Sequence, residues 1–380
     1  MKGHKLLLIV VCCLAFQACS NDKPTQLDIS QPSPAPSPTA SEPPPVIAPA
    51  PAKFNRKLAG TIDGKLAIQM ELTRDTNNFY GRYFYEKNLD RQYLDLTGKI
   101  DPAGNVELTE MADDKETGVF TGKLVSEVRG EESTLKFTGT WKKSKDDSNS
   151  LPFVLAERRY DLDGMKLVLK EQNEENSKQK FSIETSYPRL TGSDERAENF
   201  NKTISGFVTK ASNEFRKDSR SAAADLQDNP DSPGYLLNIS YETIHADPNV
   251  ISLIFKNYAF TGGAHGNTAS KVFNYDMNRG QWLKLGDLFQ PNSNYLKVIS
   301  DYCITKIKSR NISDDDWIRN GAGPKKENYE NWNITPQGLM ITFDAYQVAA
   351  YAAGPQEIVV PYSALKPIIK NDGPLAAFVK

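Results

Sequence analysis

Short runs of alternating apolar and polar residues fill residues 53–158 and restrict this part of the chain to β-structure. The runs include KLAIQMELT, FYGRYFYE, YLDLTGKI, NVELTEM, GVFTGKLV and TLKFTGTW, separated by turn sequences such as DTNN and DPAG. A period of two places apolar side chains on one face of a strand. Several such strands within about 100 residues predict an antiparallel meander that closes into a small barrel or folds into a sandwich.

Glycines recur inside these runs, beside a threonine or an aromatic residue. They are Gly60, Gly81, Gly98, Gly122 and Gly139. Glycine weakens the interior of a strand, so its recurrence predicts bends or close approaches where the sheet curls. Residues 53–158 contain no His or Cys, which excludes the usual zinc ligands from this region.

Residues 161–380 change to a mixture of strand and helix patterns. The runs GYLLNISYETIHAD and NVISLIFKNYAF predict a hairpin that turns at ADPN. Residues 193–218 carry apolar side chains at helical spacing, with Ser193 or Asp194 as the cap, and residues 294–310 repeat the pattern. Because these signals alternate without a βαβ rhythm, we predict an α+β domain with an antiparallel sheet and two main helices.

The first residues have the pattern of a bacterial lipoprotein signal. Two lysines precede an apolar run from Leu6 to Phe16, which is shorter than the roughly 20 residues that a membrane-spanning helix needs. The stretch FQAC resembles a lipobox, so we predict a signal peptide over residues 1–18 and lipidation at Cys19. The alternative is a plain secretory signal. Ser20 after the cysteine favours sorting to the outer membrane, facing the periplasm.

A proline-rich segment follows the predicted lipidation site. Residues 19–52 include PSPAPSPTASEPPPVIAPAPA and almost no large apolar side chains. Such a segment cannot bury enough surface to offset its ordering entropy. We therefore predict a disordered tether over residues 19–52.

The charge balance gives no support for nucleic-acid binding. The chain has 46 basic and 48 acidic residues, a formal charge of −2, without a basic stripe. We expect no nucleic-acid partner. Cys303 is the one cysteine beyond Cys19, and helical spacing places it on the apolar face of the second helix, where it packs as a small hydrophobic side chain.

The histidines are too few and too far apart for a metal centre. Only His245 and His265 lie beyond the signal, whereas a catalytic zinc takes three protein ligands. A strand of about ten residues, roughly 30 Å long, separates them. We predict no metal and no cofactor. No Ser or Cys lies in a GxSxG setting, while paired carboxylates stay open because Asp and Glu are abundant.

Two segments resemble the C-terminal domain of the RsiV-like family of bacterial envelope proteins. They are FKNYAFTGGAHGNTASKVFNYDMNRGQWLKLGDLF and FDAYQVAAYAAGPQEIVVPYSALKPII. Residues 165–260 resemble the domain that precedes it, which is also found in the peptidoglycan deacetylase PdaC. The resemblance implies an envelope protein with a protein-binding surface, and a member of this family binds lysozyme.

We predict a lipid-anchored envelope protein that is not an enzyme and acts as a binding module, with lysozyme-type cell-wall hydrolases as the partner. The alternatives are a scaffold that binds peptidoglycan and a cell-wall-modifying hydrolase. The candidate binding residues lie in three segments: the glycine-rich turn TGGAHGN (residues 261–267), the loop YQVAAYAAG and the acidic, aromatic segment DDDW. These are Gly262, Gly263, His265, Gly266, Asn267, Tyr346, Tyr351 and Trp317.

Overall fold

The computed structural model describes residues 44–88, 92–129, 132–158, 160, 162–227 and 234–379. The predicted signal peptide, Cys19 and the tether up to residue 43 lie outside the described residues. Among the described residues, no helix is long and apolar enough to cross a membrane.

The N-terminal strands form a closed antiparallel barrel, as the alternating runs predict. The strands are β1 (Val46–Pro49), β2 (Lys53–Ile62), β3 (Leu66–Asp75), β4 (Asn78–Tyr85), β5 (Leu94–Ile100), β6 (Asn105–Ala112), β7 (Lys115–Arg129), β8 (Glu132–Lys142) and β9 (Leu151–Glu157). Strands β2 to β7 pair in sequence order, β9 pairs with β2 and with β8, and β8 pairs with β7. This last pairing closes eight strands around a core that includes Phe120, Phe137 and Phe153.

The predicted tether is too long at its C-terminal end. Residues 46–49 form strand β1, which pairs with Val125–Val128 of β7. That part of β7 is available because the pairing between β6 and β7 stops at Lys123. Val46 and Ile47 favour extended backbone, and Pro49 is tolerated in an edge strand because its missing N–H removes no essential ladder bond.

The recurring glycines mark close approaches between strands, as predicted. An ideal Cβ on Gly139 would lie 2.1 Å from the Thr121 carbonyl oxygen and 2.5 Å from the Cα of Gly122. Gly122 and Gly139 are direct partners across β7 and β8. The two strands therefore touch backbone to backbone at a point where no side chain fits.

In its described residues, the C-terminal region has two further sheets and four α-helices, two long and two short. The second sheet, in spatial order, is β10 (Leu167–Asn176), β11 (Phe181–Leu190), β12 (Tyr235–Ala246), β13 (Val250–Phe260), β14 (Asn267–Asp276) and β15 (Gln281–Trp282). The third sheet is β16 (Trp332–Ile334), β17 (Gly338–Phe343) and β18 (Gln356–Pro361). The helices are α1 (Glu195–Gln227), α2 (Tyr295–Ser309), α3 (Asp315–Ala322) and α4 (Tyr362–Leu365).

The multi-domain fold class is confirmed, with one difference inside the second sheet. Strands β11 and β12 are parallel, and α1 is the crossover between them, whereas the other pairings of this sheet are antiparallel. These three elements form a βαβ unit, so the expectation of a purely antiparallel sheet is wrong at this point. Asp194 caps α1, since its carboxylate accepts a hydrogen bond from the backbone N–H of Ala197 at 2.9 Å.

Three apolar layers hold the C-terminal region together. Helix α1 packs on one face of the second sheet, in an apolar cluster that includes Phe200, Ile204, Leu253 and Phe255. The other face meets the third sheet through Ile254. The far side of the third sheet packs against α2, whose Cys303 is fully buried. Burial raises the pKa of the Cys303 thiol, which agrees with its prediction as a small hydrophobic side chain.

Polar contacts connect the barrel to the second sheet. Lys57 of β2 forms an ion pair with Glu242 of β12, and the Tyr160 hydroxyl donates to the Thr243 carbonyl oxygen at 3.1 Å. Burial alone would raise the pKa of Glu71 in β3, but Lys57 and Arg82 outweigh it and hold that pKa below its usual value. The Glu71 carboxylate is therefore kept ionised by its basic neighbours.

The substitution Gly139→Ala should destabilise the barrel by about 2 kcal/mol or more, because its methyl group cannot fit between β7 and β8. Urea unfolding would show this as a lower midpoint. The matched control is Gly206→Ala in α1, where the added methyl meets no atom within 4 Å and should stabilise the helix by up to about 1 kcal/mol. Equal midpoints for the two variants would contradict this account of the glycines.

Candidate functional site

The glycine-rich turn joins β13 to β14, as predicted for a connection between paired strands. Gly262 and Gly263 have φ angles of 95° and 89°, which side-chain-bearing residues rarely adopt. Gly266 is required for a different reason: its φ is not positive, and an ideal Cβ would lie 2.4 Å from the Tyr258 ring. Gly262 and Gly263 are exposed, and the exposed Asn267 begins β14.

Three predicted binding residues come together as one exposed group of rings, here called the aromatic surface: His265, Tyr346 and Tyr351. The His265 ring stacks on Tyr351 with centroids 4.5 Å apart and an interplanar angle of 18°. The Tyr351 and Tyr346 rings lie 5.5 Å apart at 35°. Tyr346 is 56% exposed and Tyr351 38% exposed. The rings belong to loops separated by about 80 residues of sequence, yet they form one continuous patch.

Hydrogen bonds hold the rings of the aromatic surface in place. The His265 Nδ1 lies 3.0 Å from the Gly266 carbonyl oxygen, and since a carbonyl only accepts, this contact assigns the proton to Nδ1. Nε2 of the neutral ring is then left as an acceptor. The Tyr351 hydroxyl donates to the same carbonyl at 3.3 Å. The Gly266 backbone thus supports both stacked rings.

Trp317 is bonded to the backbone of the aromatic surface, and its own side chain is half-buried. Its indole Nε1 donates to the Tyr346 carbonyl oxygen at 3.0 Å. The segment containing it is helical, because residues 315–322 form α3 with Asp314 as its cap. Asp314 accepts from the Trp317 backbone N–H at 2.9 Å. Trp317 therefore lies in the first turn of a helix and at a fixed position.

Two supporting residues were missed by the sequence analysis. Asp344 accepts from the Ser270 backbone N–H at 3.1 and 3.2 Å, which ties the end of β17 to β14. The Gln347 side chain donates to the carbonyl oxygens of Gly321 and Asn328, at 3.0 Å each. Both residues lie in the FDAYQVAAYAAG segment that carries the family resemblance. Their position directly after a strand, in a loop with an exposed tyrosine, was the available signal.

His245 lies at the other end of β13 from the aromatic surface, so the structure keeps the two histidines apart. Its Nε2 is 3.0 Å from Asp247. Burial alone would raise the pKa of Asp247, but hydrogen bonds from His245, Val250 and Asn249 outweigh it and hold that pKa below its usual value. Searched over the described residues, the structure contains no group of three or more His, Cys, Asp or Glu side chains that could hold a metal ion.

A serine lies opposite His245, but its hydroxyl makes structural hydrogen bonds to other residues. Ser252 faces His245 across the β12–β13 ladder. Its hydroxyl is fully buried and donates to Asn274 Oδ1 at 2.6 Å. It also accepts from the Asn333 side chain at 2.9 Å. A fully engaged, buried hydroxyl is not available as a nucleophile.

Comparison with known proteins identifies two domains in the C-terminal region. Residues 174–268 match the family model described as Deacetylase PdaC, and residues 286–363 match the model described as Protein of unknown function (DUF3298). These matches confirm the resemblance carried by the sequence motifs. The aromatic surface combines His265 from the first matched region with Tyr346 and Tyr351 from the second.

Curated relatives and a solved structure share parts of this chain. The chain is 29% identical over 198 residues to the peptidoglycan-N-acetylmuramic acid deacetylase PdaC of Bacillus subtilis, which is 52% of this chain and 40% of the deacetylase. It is 24% identical over 167 residues to the immunogenic protein MPT64 of Mycobacterium tuberculosis, which is 43% of this chain and 70% of MPT64. The crystal structure of a DUF3298 family member from Bacteroides fragilis is 17% identical, with a TM-score of 0.44, and the match covers 57% of this chain and 96% of that one. The chain spans less than half the length of the deacetylase.

The expectation that the chain is not an enzyme is wrong. The PdaC model matches residues 174–268, and the relative that shares 198 aligned residues is named as a deacetylase.

The substitution Asp247→Asn should destabilise the chain at neutral pH and have little effect in acid. The pKa of folded Asp247 is below its usual value, so its charge stabilises the fold above about pH 4 and this contribution is lost as the pH falls through the folded pKa. We expect a loss of about 1 kcal/mol at pH 7, from weakened hydrogen bonds to His245 and the turn. Urea unfolding from pH 7 down to pH 2.5 measures the difference, with the exposed Asp372→Asn as control. A difference that does not change with pH would contradict this role.

Proposed function

We propose that this chain, which carries a PdaC-like domain followed by a DUF3298 domain, acts on peptidoglycan in the bacterial cell envelope. The domain content indicates a cell-envelope protein. The observation that carries the proposal is the exposed aromatic surface at the meeting point of the two domains. In this proposal the aromatic surface holds a sugar of the glycan strand.

The chemistry of the aromatic surface suits a sugar ring. A pyranose has an apolar face of C–H bonds and a rim of hydroxyl and amide groups, so it matches flat rings with polar edges. Tyr346 and Tyr351 offer both, since an aromatic ring stacks and its hydroxyl bonds to a polar partner. His265 Nε2 adds an acceptor, because Nδ1 is engaged by Gly266. The rings are held by backbone contacts before any ligand arrives, which lowers the entropy cost of binding.

Lipid anchoring through Cys19 and a periplasm-facing place at the outer membrane complete the proposal. The lipobox-like FQAC sequence and the following Ser20 support them. Labelling with a fatty-acid analogue in a bacterial host, comparing the natural chain with Cys19→Ala, tests the anchor. Equal labelling of the two chains would refute lipid anchoring at Cys19.

The substitution Tyr351→Ala should weaken sedimentation of the full chain with purified peptidoglycan about tenfold, because it removes the central ring of the aromatic surface. The release of acetate from the same N-acetylated glycan is followed in parallel, so that binding and turnover are both measured. Leu169→Ala is the matched control, since Leu169 is 39% exposed, close to the 38% of Tyr351. Unchanged binding and unchanged acetate release in Tyr351→Ala would refute the proposed site.

A specific charge arrangement favours a second candidate function, the binding of a lysozyme-type hydrolase. Asp314, Asp315 and Asp316 lie beside Trp317, which touches Tyr346. Asp315 bonds to Lys308, and this hydrogen bond lowers the pKa of Asp315. Among the described residues, Asp316 forms no ion pair, so its charge is open to a basic partner. Aromatic anchors with opposite charge at the rim are typical of protein-binding surfaces.

Reversing this charge should slow lysozyme association. With Asp316→Lys, we expect the association rate with a basic c-type lysozyme to fall severalfold at low salt, and by less as the salt concentration rises. Surface plasmon resonance measures the rates, and Asp372→Lys is the charge-matched control at another exposed position. If both variants change the rate equally, only net charge matters and the aromatic surface is not the lysozyme site.

A further inference from the structure

A groove on the outer wall of the barrel is a second place where the structure presents an aromatic ring to water. It crosses β4, β5 and β6 and has a volume of about 380 Å³, within the range of about 300–1,000 Å³ that is common for small-ligand sites. Its lining combines one exposed ring with hydroxyl, amide and charged groups. The lining residues are Asn78, Phe79, Tyr80, Thr97, Gly98, Lys99, Glu107 and Thr109.

The strand register arranges these side chains in two parallel rows. Tyr80 pairs with Thr97, which pairs with Thr109 on the next strand. Two residues along each strand, Asn78 pairs with Lys99 and Lys99 with Glu107. Residues two apart on a strand point to the same face, and Phe79 between the rows points into the core. The groove is therefore built on a rigid, closed sheet.

The exposure of Tyr80 is unusual for this chain. It is 57% exposed, and the other large aromatic side chains that are exposed in the described part of the chain are Tyr346 and Tyr351. Those two belong to the aromatic surface. Beside the Tyr80 ring, the groove is lined by the hydroxyl groups of Thr97 and Thr109 and the amide of Asn78, which suits the polar rim of a sugar stacked on the ring.

The charges in the groove select for an acidic ligand. Glu107 forms an ion pair with Lys145 at 2.7 Å, so its negative charge is already offset. Among the described residues, Lys99 takes part in no ion pair. Lys99 and Lys145 thus share the single negative charge of Glu107. The three side chains carry one net positive charge on this wall of the barrel, and a carboxylate on the ligand would complement it.

We propose that this groove is a second saccharide-binding site and takes a sugar that bears a carboxylate. Tyr80 stacks on the apolar face of the sugar, Thr97 and Thr109 bond to its hydroxyl groups, and Lys99 pairs with the carboxylate. The choice of a peptidoglycan sugar as the probe rests on the proposed function. The site itself rests on the barrel alone.

The test uses the full chain with two probes, a disaccharide of N-acetylglucosamine and N-acetylmuramic acid, which carries a carboxylate, and neutral chitotetraose. Nuclear magnetic resonance follows the backbone amides of Thr97 and Gly98, and calorimetry counts the binding sites. We expect the acidic probe to shift these amides. Tyr80→Ala should weaken binding in the groove about tenfold and lower the stoichiometry from two sites to one.

Lys99→Gln separates charge from stacking. It should weaken binding of the acidic disaccharide in the groove about fivefold and leave chitotetraose unchanged. Because both side chains point into water, circular dichroism should show a native barrel in each variant. Unshifted Thr97 and Gly98 amides, or natural affinity and stoichiometry in Tyr80→Ala, would overturn the inference.

Tyr351→Ala separates the two proposals. If it removes one site while the barrel amides still shift, both proposals are supported. If it removes all saccharide binding, the groove is not a site and the proposed function stands. If it changes nothing while Tyr80→Ala does, the groove stands and the aromatic surface falls.

Discussion

One buried hydroxyl joins the two regions of the C-terminal fold. Ser252 of β13 donates to Asn274 and accepts from the Asn333 side chain and from the backbone N–H of Ile334, at 2.6, 2.9 and 3.0 Å. Asn274 in turn donates to the Trp332 carbonyl oxygen at 2.8 Å. A buried polar group left without a partner costs about 1–3 kcal/mol, so sliding the third sheet along the second would carry several such costs. Ile254 packs in the apolar layer beside this network. Apolar contact of this kind adds buried area but does not fix the register of the two sheets, because it has no preferred direction.

This constraint explains how distant loops come to form one surface. Strand β13 lies within the PdaC-matched residues 174–268, and β16 lies within the DUF3298-matched residues 286–363. Once the sheets are fixed, the turn after β13 and the loop after β17 emerge side by side. The bond from the Ser270 N–H to Asp344 then fixes their spacing. A site shared by both domains depends on the interface between them, so neither domain alone contains the complete aromatic surface.

The sequence predicts what depends on local periodicity and misses what depends on long-range contact. Alternation over residues 53–158 predicted the antiparallel meander but left a barrel and a sandwich both open, and helical spacing predicted α1 and α2. The parallel pairing of β11 with β12 was missed because its signal lies in two strands separated by a 33-residue helix. The loops of the aromatic surface were chosen from glycines and aromatic residues, yet the stacking of His265 on Tyr351 crosses 86 positions and has no local signature.

The backbone of Tyr346 carries a cost that the surrounding structure offsets. Its φ of 70° lies in the left-handed region, which costs a residue with a side chain about 1–2 kcal/mol. The indole of Trp317 bonds to its carbonyl oxygen, and the next residue, Gln347, is held by two further bonds. Each such bond contributes about 1 kcal/mol, enough to hold the strained turn. The positive φ of Tyr346 is not needed to bury its side chain, because the ring remains 56% exposed. The strained turn places the Tyr346 ring in water beside Tyr351, and strain of this kind concentrates where a chain binds or reacts.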